Sequence, residues 1–177
     1  MRYIRTFHDE GKARLLVEND PAEAIAFTQV PLMRVARIWS TGAAPEIGGA
    51  EERSANKQVG FLPRPGETGF RLLTLPPDAF MADPALDLAA VGTEFAQRVP
   101  EMAMVREVED PGMHRTETID HVIILDGEVW LEVDDGKDIL LRQHDVVIQN
   151  GTRHAWRNRS DAPVTMAIFM VGARRLD

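Results

Sequence analysis

The 177-residue sequence contains no cysteine. Disulfide bonds and cysteine-based metal, redox or nucleophilic chemistry are therefore excluded, and a cytoplasmic setting suits such a chain. No apolar run approaches the ~20 residues that a membrane helix needs. The opening "MRYIRTFHDE" has no apolar stretch of the kind that marks a signal peptide. Basic residues are in the minority: 20 Lys and Arg against 28 Asp and Glu leave a net charge of -8. A surface of that sign repels phosphate backbones and anionic lipid, so neither nucleic acid nor a membrane is an expected partner. A basic helix-turn-helix or basic tail is also missing, which argues against a complete transcription regulator. Internal repeats and low-complexity tracts are absent too.

What is present is ordinary globular composition, 44% hydrophobic and 27% charged, and enough length for one domain with a substantial core. The whole of 1–177 is expected to form that domain. Its last third is the most regular part. "HVIILDG", "EVWLEVDDG", "DILLRQHD", "VVIQNG", "HAWRN" and "VTMAIFMVG" are short β-rich runs punctuated by Gly, Asp and Asn, the pattern of an antiparallel all-β domain. In "EVWLEV", Val129, Leu131 and Val133 share one face, and Glu128, Trp130 and Glu132 the other. The outward Trp130 predicts cover by the N-terminal segment or by a second subunit. "DDGK", 134–137, is a hairpin signal.

Residues 1–80 also read as strands, in "RYIRTF", "ARLLVE", "AIAFTQV", "LMRVARIWS" and "FRLLTL", packing on the rest as an extension. Residues 41–58, almost without apolar side chains, read as an exposed excursion. One helix is predicted over 83–99, capped by Asp83 with Pro84 in its first turn and Leu86, Leu88, Val91 and Phe95 at helical spacing. Many short strands in sequence manage their edges by closing into a sandwich or barrel, and such barrels can hold a small ligand.

Among His8, His114, His121, His144 and His154, only His114 has a carboxylate, Asp120, a few residues on at the start of an apolar strand. On a straight strand the two would stand ~20 Å apart. Sharing an ion therefore requires the chain to reverse, and polar "TETI", 116–119, is the expected turn.

"HRTETIDHVIILDG" and "HDVVIQNGTRHAWRN" together resemble the two motifs of the cupin superfamily. In the first, His114, Asp120 and Gly127 stand at the positions of a histidine, the glutamate and the glycine, with Thr116 in place of the second histidine. In the second, Gly151, His154 and Asn158 fit; His144 stands where a glycine would be, and Gln149 where the turn proline would be. The likeness covers 108–172. It is similar, more narrowly, to small single-domain bacterial cupins with a long N-terminal extension, a group without one shared reaction. It implies an antiparallel double-stranded β-helix, or jelly roll. It further implies a divalent metal held by His114, Asp120 and His154, with Fe(II) favoured and Mn, Ni or Zn as alternatives. Asp120, one methylene shorter than Glu, either binds the ion itself or accepts a hydrogen bond from a ligand histidine.

Thr116 and Trp156 are the expected substrate-pocket residues. Trp156, two residues past His154, shares its inward face and is either plain core or a wall that stacks on a planar ligand. Arg157 and Ala155 are then expected to point outward. His121 should face away from the metal, towards a sheet or subunit contact. His8, His144 and Glu117 read as solvated, with Glu117 able to replace a missing ligand if the turn folds inward. The resulting expectation is a metal-dependent enzyme acting on a small organic molecule, by oxygenase, isomerase or lyase chemistry. The alternatives are a non-catalytic small-molecule binder and a barrel with a degenerate metal site. A homodimer is expected from the outward Ile123, Leu125 and Trp130 and from the dimer habit of that family.

Overall fold

Burial alternates residue by residue along the expected first motif. Val122 and Ile124 are buried while His121, Ile123 and Leu125 are exposed, so this strand has one face in the core and one outside. The computed structural model describes residues 2–19, 24–47 and 60–176. Five strands come first: β1 (Arg2–Asp9), β2 (Lys12–Asn19), β3 (Ala24–Ala26), β4 (Arg34–Thr41) and β5 (Thr68–Leu75). Helices α1 (Asp78–Met81), α2 (Leu88–Arg98) and α3 (Pro100–Val105) follow. The chain ends with β6 (Thr118–Asp126), β7 (Glu128–Glu132), β8 (Asp138–Arg142), β9 (Val146–Gln149), β10 (Ala155–Arg157) and β11 (Val164–Gly172).

All strand pairs among the described residues are antiparallel. A six-stranded sheet runs β3-β4-β5-β11-β6-β9, a three-stranded sheet runs β10-β7-β8, and β1 pairs with β2. The expected all-β barrel architecture is thus present. Residues 34–75 contribute strands to the large sheet itself, not only a covering layer. The β1–β2 hairpin touches that sheet where the Arg5 guanidinium lies 5.2 Å from the Trp39 ring. The excursion expected over 41–58 falls mainly on 48–59, outside the described residues.

Two apolar clusters hold the layers together. Val122 and Ile124 of β6, Val129 of β7, Leu141 of β8, and Val164 and Met166 of β11 fill the space between the sheets. Phe27, Val30, Val35, Phe95 and Val99 form the second, tying α2 to the mouth of the large sheet. Gly127, at φ +79, joins β6 to β7; a Cβ there would meet the Pro163 carbonyl at 2.9 Å, so the turn admits only glycine without distortion. Asn158 is structural: its amide donates to the carbonyls of Leu75 and Ala162, and its Oδ1 accepts from Ser160.

Trp130 is half-buried, with the Arg159 guanidinium 5.6 Å from its ring. Two expectations need correction. The predicted helix starts at Leu88, not Asp83, because Asp87 supplies the cap by accepting from the Ala90 N–H; Asp83 instead holds a preceding turn through the Ala85 N–H. Residues 116–119 do not reverse the chain. The backbone bends at Glu117, and inward burial continues in alternation from His114 to Ile124. Both flanks of the bend lie beside the same returning segment, His114 against His154 and Asp120 against Gln149.

Ile124 is fully buried between the sheets. Ile124→Ala is expected to lower unfolding free energy by about 2–5 kcal/mol, from lost transfer energy and the cavity left behind, measured by urea denaturation.

Candidate functional site

His114 lies outside the named strands yet is fixed as firmly as a strand residue. Its N–H donates to the His154 carbonyl and its carbonyl accepts the His154 N–H, each at 3.0 Å. Gly151 makes this approach possible. It adopts φ +61, and a Cβ there would lie 2.8 Å from the Thr116 carbonyl. Residues directly opposite in an antiparallel pair point the same way, so the two imidazoles meet, with ring centroids 4.3 Å apart. His114 Nδ1 is 2.9 Å from the Gly112 carbonyl and His154 Nδ1 is 3.0 Å from that of Thr152. A carbonyl only accepts, so each Nδ1 carries the proton and each Nε2 keeps its lone pair. Burial pushes the His154 imidazole down to about 4, with His114 adding to the shift, and burial also lowers His114. Both are neutral at physiological pH.

Ion pairs clamp the segment in front of the histidines. Arg153 binds Glu107, Asp110 and Asp134 at 2.6–3.0 Å, and Arg157 binds Glu132 and Asp110. The Arg157 guanidinium also donates to the Pro111 carbonyl. This segment covers the side of β10 expected to face solvent, so Ala155 is fully buried instead of outward.

The histidines open onto a cavity of about 500 Å³. Thr116, Asp120, Trp156 and Arg71 also line it, and Phe27, Val30, Phe61, Phe95 and Val99 form part of its apolar wall. Trp156 stands edge-on to His154 at 5.7 Å, which makes it cavity wall. Thr116 is buried and accepts a hydrogen bond from the Thr118 hydroxyl at 2.8 Å. His121 lies on the outer face, 6.1 Å from Phe169, away from the cavity. His144 is exposed in the β8–β9 turn at φ +74, the left-handed conformation that a glycine at this motif position would adopt freely.

Asp120 lines the same cavity but does not complete the histidine pair. Among the described residues no three His, Asp or Glu side chains gather as an ion would require. Its Oδ1 is buried without a partner, and burial pushes the carboxyl up to about 6. The two imidazoles, each with a free Nε2, fit as ligands of a divalent ion; the three-residue set does not.

Sequence reasoning missed Arg71. On β5 it shares the inward face with Gly69, Leu73 and Leu75, and a charged residue among such neighbours was the available signal.

No family model matches the chain. A phomopsin biosynthesis cluster protein, C', from Diaporthe leptostromiformis is 47% identical over 58 residues, 33% of this chain and 31% of that protein. The cupin-domain-containing oxidoreductase virC of Hypocrea virens is 39% identical over 46 residues, 26% of this chain and 24% of that protein. The chain thus matches less than a third of the length of either relative. Among solved structures, a Cupin 2 conserved barrel domain protein from Salinispora arenicola aligns with a TM-score of 0.41 at 16% identity, covering 87% of this chain and 92% of that one.

Above pH 6 the folded state carries a buried Asp120 carboxylate whose desolvation outweighs the help of Thr118 and Arg71. As pH falls from about 6 towards the ordinary 3.8, the folded chain takes up a proton that the unfolded chain does not, and the penalty disappears. His154 acts in the opposite direction, costing stability as pH falls from 6.5 to about 4. That contribution cancels when parent and variant are compared. In chelator, Asp120→Asn is therefore expected to be more stable than the parent at pH 7–8, by up to about 3 kcal/mol, with the advantage gone near pH 4. Denaturant midpoints across that range check it.

Proposed function

We propose that this chain, a member of the cupin superfamily, is a metal-dependent enzyme that acts on a small organic molecule inside its barrel. The observation that carries the reading is the pair of neutral imidazoles, both Nε2 edges free, opening onto a largely apolar cavity of about 500 Å³. A cavity of that size and lining suits a small organic molecule. Relatives named as cupin-domain oxidoreductases and biosynthesis cluster proteins support that class of chemistry. The cysteine-free composition suits a cytoplasmic protein.

His114 and His154 would hold the ion, with Fe(II) favoured and Mn, Ni or Zn as alternatives. When bound, it would supply Lewis acidity or, as iron, a site for oxygen. Two protein ligands hold an ion loosely, so solvent or the organic molecule must fill its remaining positions. The rest of the work belongs to this chain's own groups. Trp156 offers an aromatic edge and face to a planar substrate. Thr116 Oγ1, already accepting from Thr118, keeps its own proton to donate. Asp120, with a carboxyl pushed up to about 6, is placed to accept or return a proton near neutral pH. The chemistry is oxidoreductase-type, or an isomerase or lyase reaction.

A second reading is favoured by one observation: among the described residues no third ligating side chain groups with the two histidines. In it, the barrel binds the molecule without an ion. Elemental analysis distinguishes the two. Fe, Mn, Ni or Zn near one per chain in the parent, lost in His154→Ala, is the expected result. A parent that stays empty after anaerobic reconstitution with Fe(II), Mn, Ni and Zn would overturn the metal reading.

The outer face of the large sheet carries an apolar stripe. Ile119, Ile123 and Leu125 of β6 lie next to Val146 and Ile148 of β9 and Phe169 of β11, each at least 38% exposed. The stripe supports a homodimer. Light scattering is expected to give twice the 19.8 kDa chain mass, falling to the monomer in Ile123→Glu/Ile148→Glu; a parent monomer at all concentrations sinks the idea.

A further inference from the structure

Arg71 is 3% exposed, deep in the barrel. Burying a guanidinium is costly unless it is paired with an anion, yet no ion pair joins it to a carboxylate among the described residues. Its partners are weak. Nη1 donates to the Met170 sulfur, Nη2 is 3.4 Å from the Gly60 carbonyl, and the Phe61 ring centroid is 4.3 Å from the guanidinium carbon. Nε has no partner at all.

The group is nevertheless seated. It folds back over Gly69 of its own strand, where a Cβ would lie 3.0 Å from Nη1 and 3.2 Å from Nη2. Glycine thus clears the space the guanidinium occupies. The ring of Phe61 and the sulfur of Met170 fix its plane. This seat leaves Nε buried without a partner and Nη2 with only the long Gly60 contact, while Arg71 lines the cavity, so the guanidinium keeps donor capacity for a carboxylate. Asp120 lines the same cavity yet forms no ion pair with it; β5 and β6 are separated by β11, whose Met170 stands between Gly69 and Asp120 in the register. Burial and Arg37 lower Arg71 to about 10, so it remains a cation at neutral pH.

We infer that the small molecule carries a carboxylate and that the Arg71 guanidinium binds it, with the apolar remainder lying against the wall formed by residues such as Phe27, Phe61 and Phe95. This rests on the small-molecule reading above and specifies it: the ligand is an organic acid with an apolar body.

Isothermal titration with 3-phenylpropionate and its uncharged isostere 3-phenylpropanamide tests it. Both are titrated into as-purified protein and again after chelation, so that an ion at the histidines cannot stand in for Arg71. The parent is expected to prefer the acid by about 10- to 100-fold in both forms. Arg71→Met, which keeps an unbranched apolar chain beside Phe61 and Met170, is expected to remove the preference, and His154→Ala to retain it. Gly69→Ala, which displaces the guanidinium without deleting its charge, should weaken the acid and leave the amide unchanged, and it serves if Arg71→Met does not fold. Equal binding of acid and amide by the parent, or a preference surviving both β5 variants, overturns the carboxylate assignment while the small-molecule reading stands. Failure of the parent to bind either compound overturns both.

Discussion

Two backbone hydrogen bonds between His114 and His154 hold the site in place. They join segments forty residues apart in sequence, at the corner where the chain passes from one sheet to the other. Because the pair is directly opposed, the side chains must emerge on the same side, and the imidazoles meet whatever else the barrel does. The carbonyls of Gly112 and Thr152 then fix the tautomers. Arg153 and Arg157 hold the covering segment from outside, so the rings are desolvated and stay neutral. Backbone geometry makes the pair; electrostatics at the rim keeps it dry.

Inside, the sheet arranges charge in an unusual row. Gly69, Met170, Asp120 and Gln149 are cross-strand neighbours on β5, β11, β6 and β9. Arg71 folds over the first of these and Asp120 is the third. Adjacent strands are ~4.8 Å apart, so the backbones bearing cation and carboxylate are about two strand spacings apart. A purely structural pair would gain most from direct contact. Here both groups are buried, both keep an unpartnered atom, and both face the same cavity. Such under-satisfied groups are costly in an empty barrel and have an evident use in a filled one.

The fold was legible because strands announce themselves locally. Alternation in "HVIILDG" and "EVWLEV" and the glycines at 127 and 151 constrain pairing within short distances along the chain. Legible too were His114, His154, Thr116 and Trp156 as inward residues, since motif spacing and the two-residue period place them. The position of Asp120 was harder. Polar "TETI" suits a turn and an extended corner equally, and only the returning strand, pairing on both sides of Glu117, decides for the corner. Arg71 lies some forty residues before the first motif, and its role depends on Met170 and Phe61, which no local pattern links to it. The helix start shifted for a similar reason: Asp83 and Asp87 are both competent caps, and packing of Val91 and Phe95 against the second core cluster selects the later one.

Thr116 is best understood through the charge balance of the cavity. A second histidine at that position would add a neutral donor, and a carboxylate beside it would add negative charge. This chain puts a hydroxyl there, already engaged by Thr118, and sets its carboxylate apart. Two neutral imidazoles, one ionised Asp120 and one Arg71 sum to zero, so a divalent ion would meet no net negative charge from these four side chains. An organic acid changes that sum. Seated on Arg71, it would neutralise the guanidinium, leave the Asp120 charge uncompensated and thereby make the histidine pair a better place for a cation. The threonine contributes the room, being smaller than an imidazole, and the acid contributes the charge. An ion held by the histidines and an acid held by Arg71 would therefore bind in a linked manner, each raising the affinity for the other, as thermodynamic linkage requires when one ligand supplies the charge that the other needs.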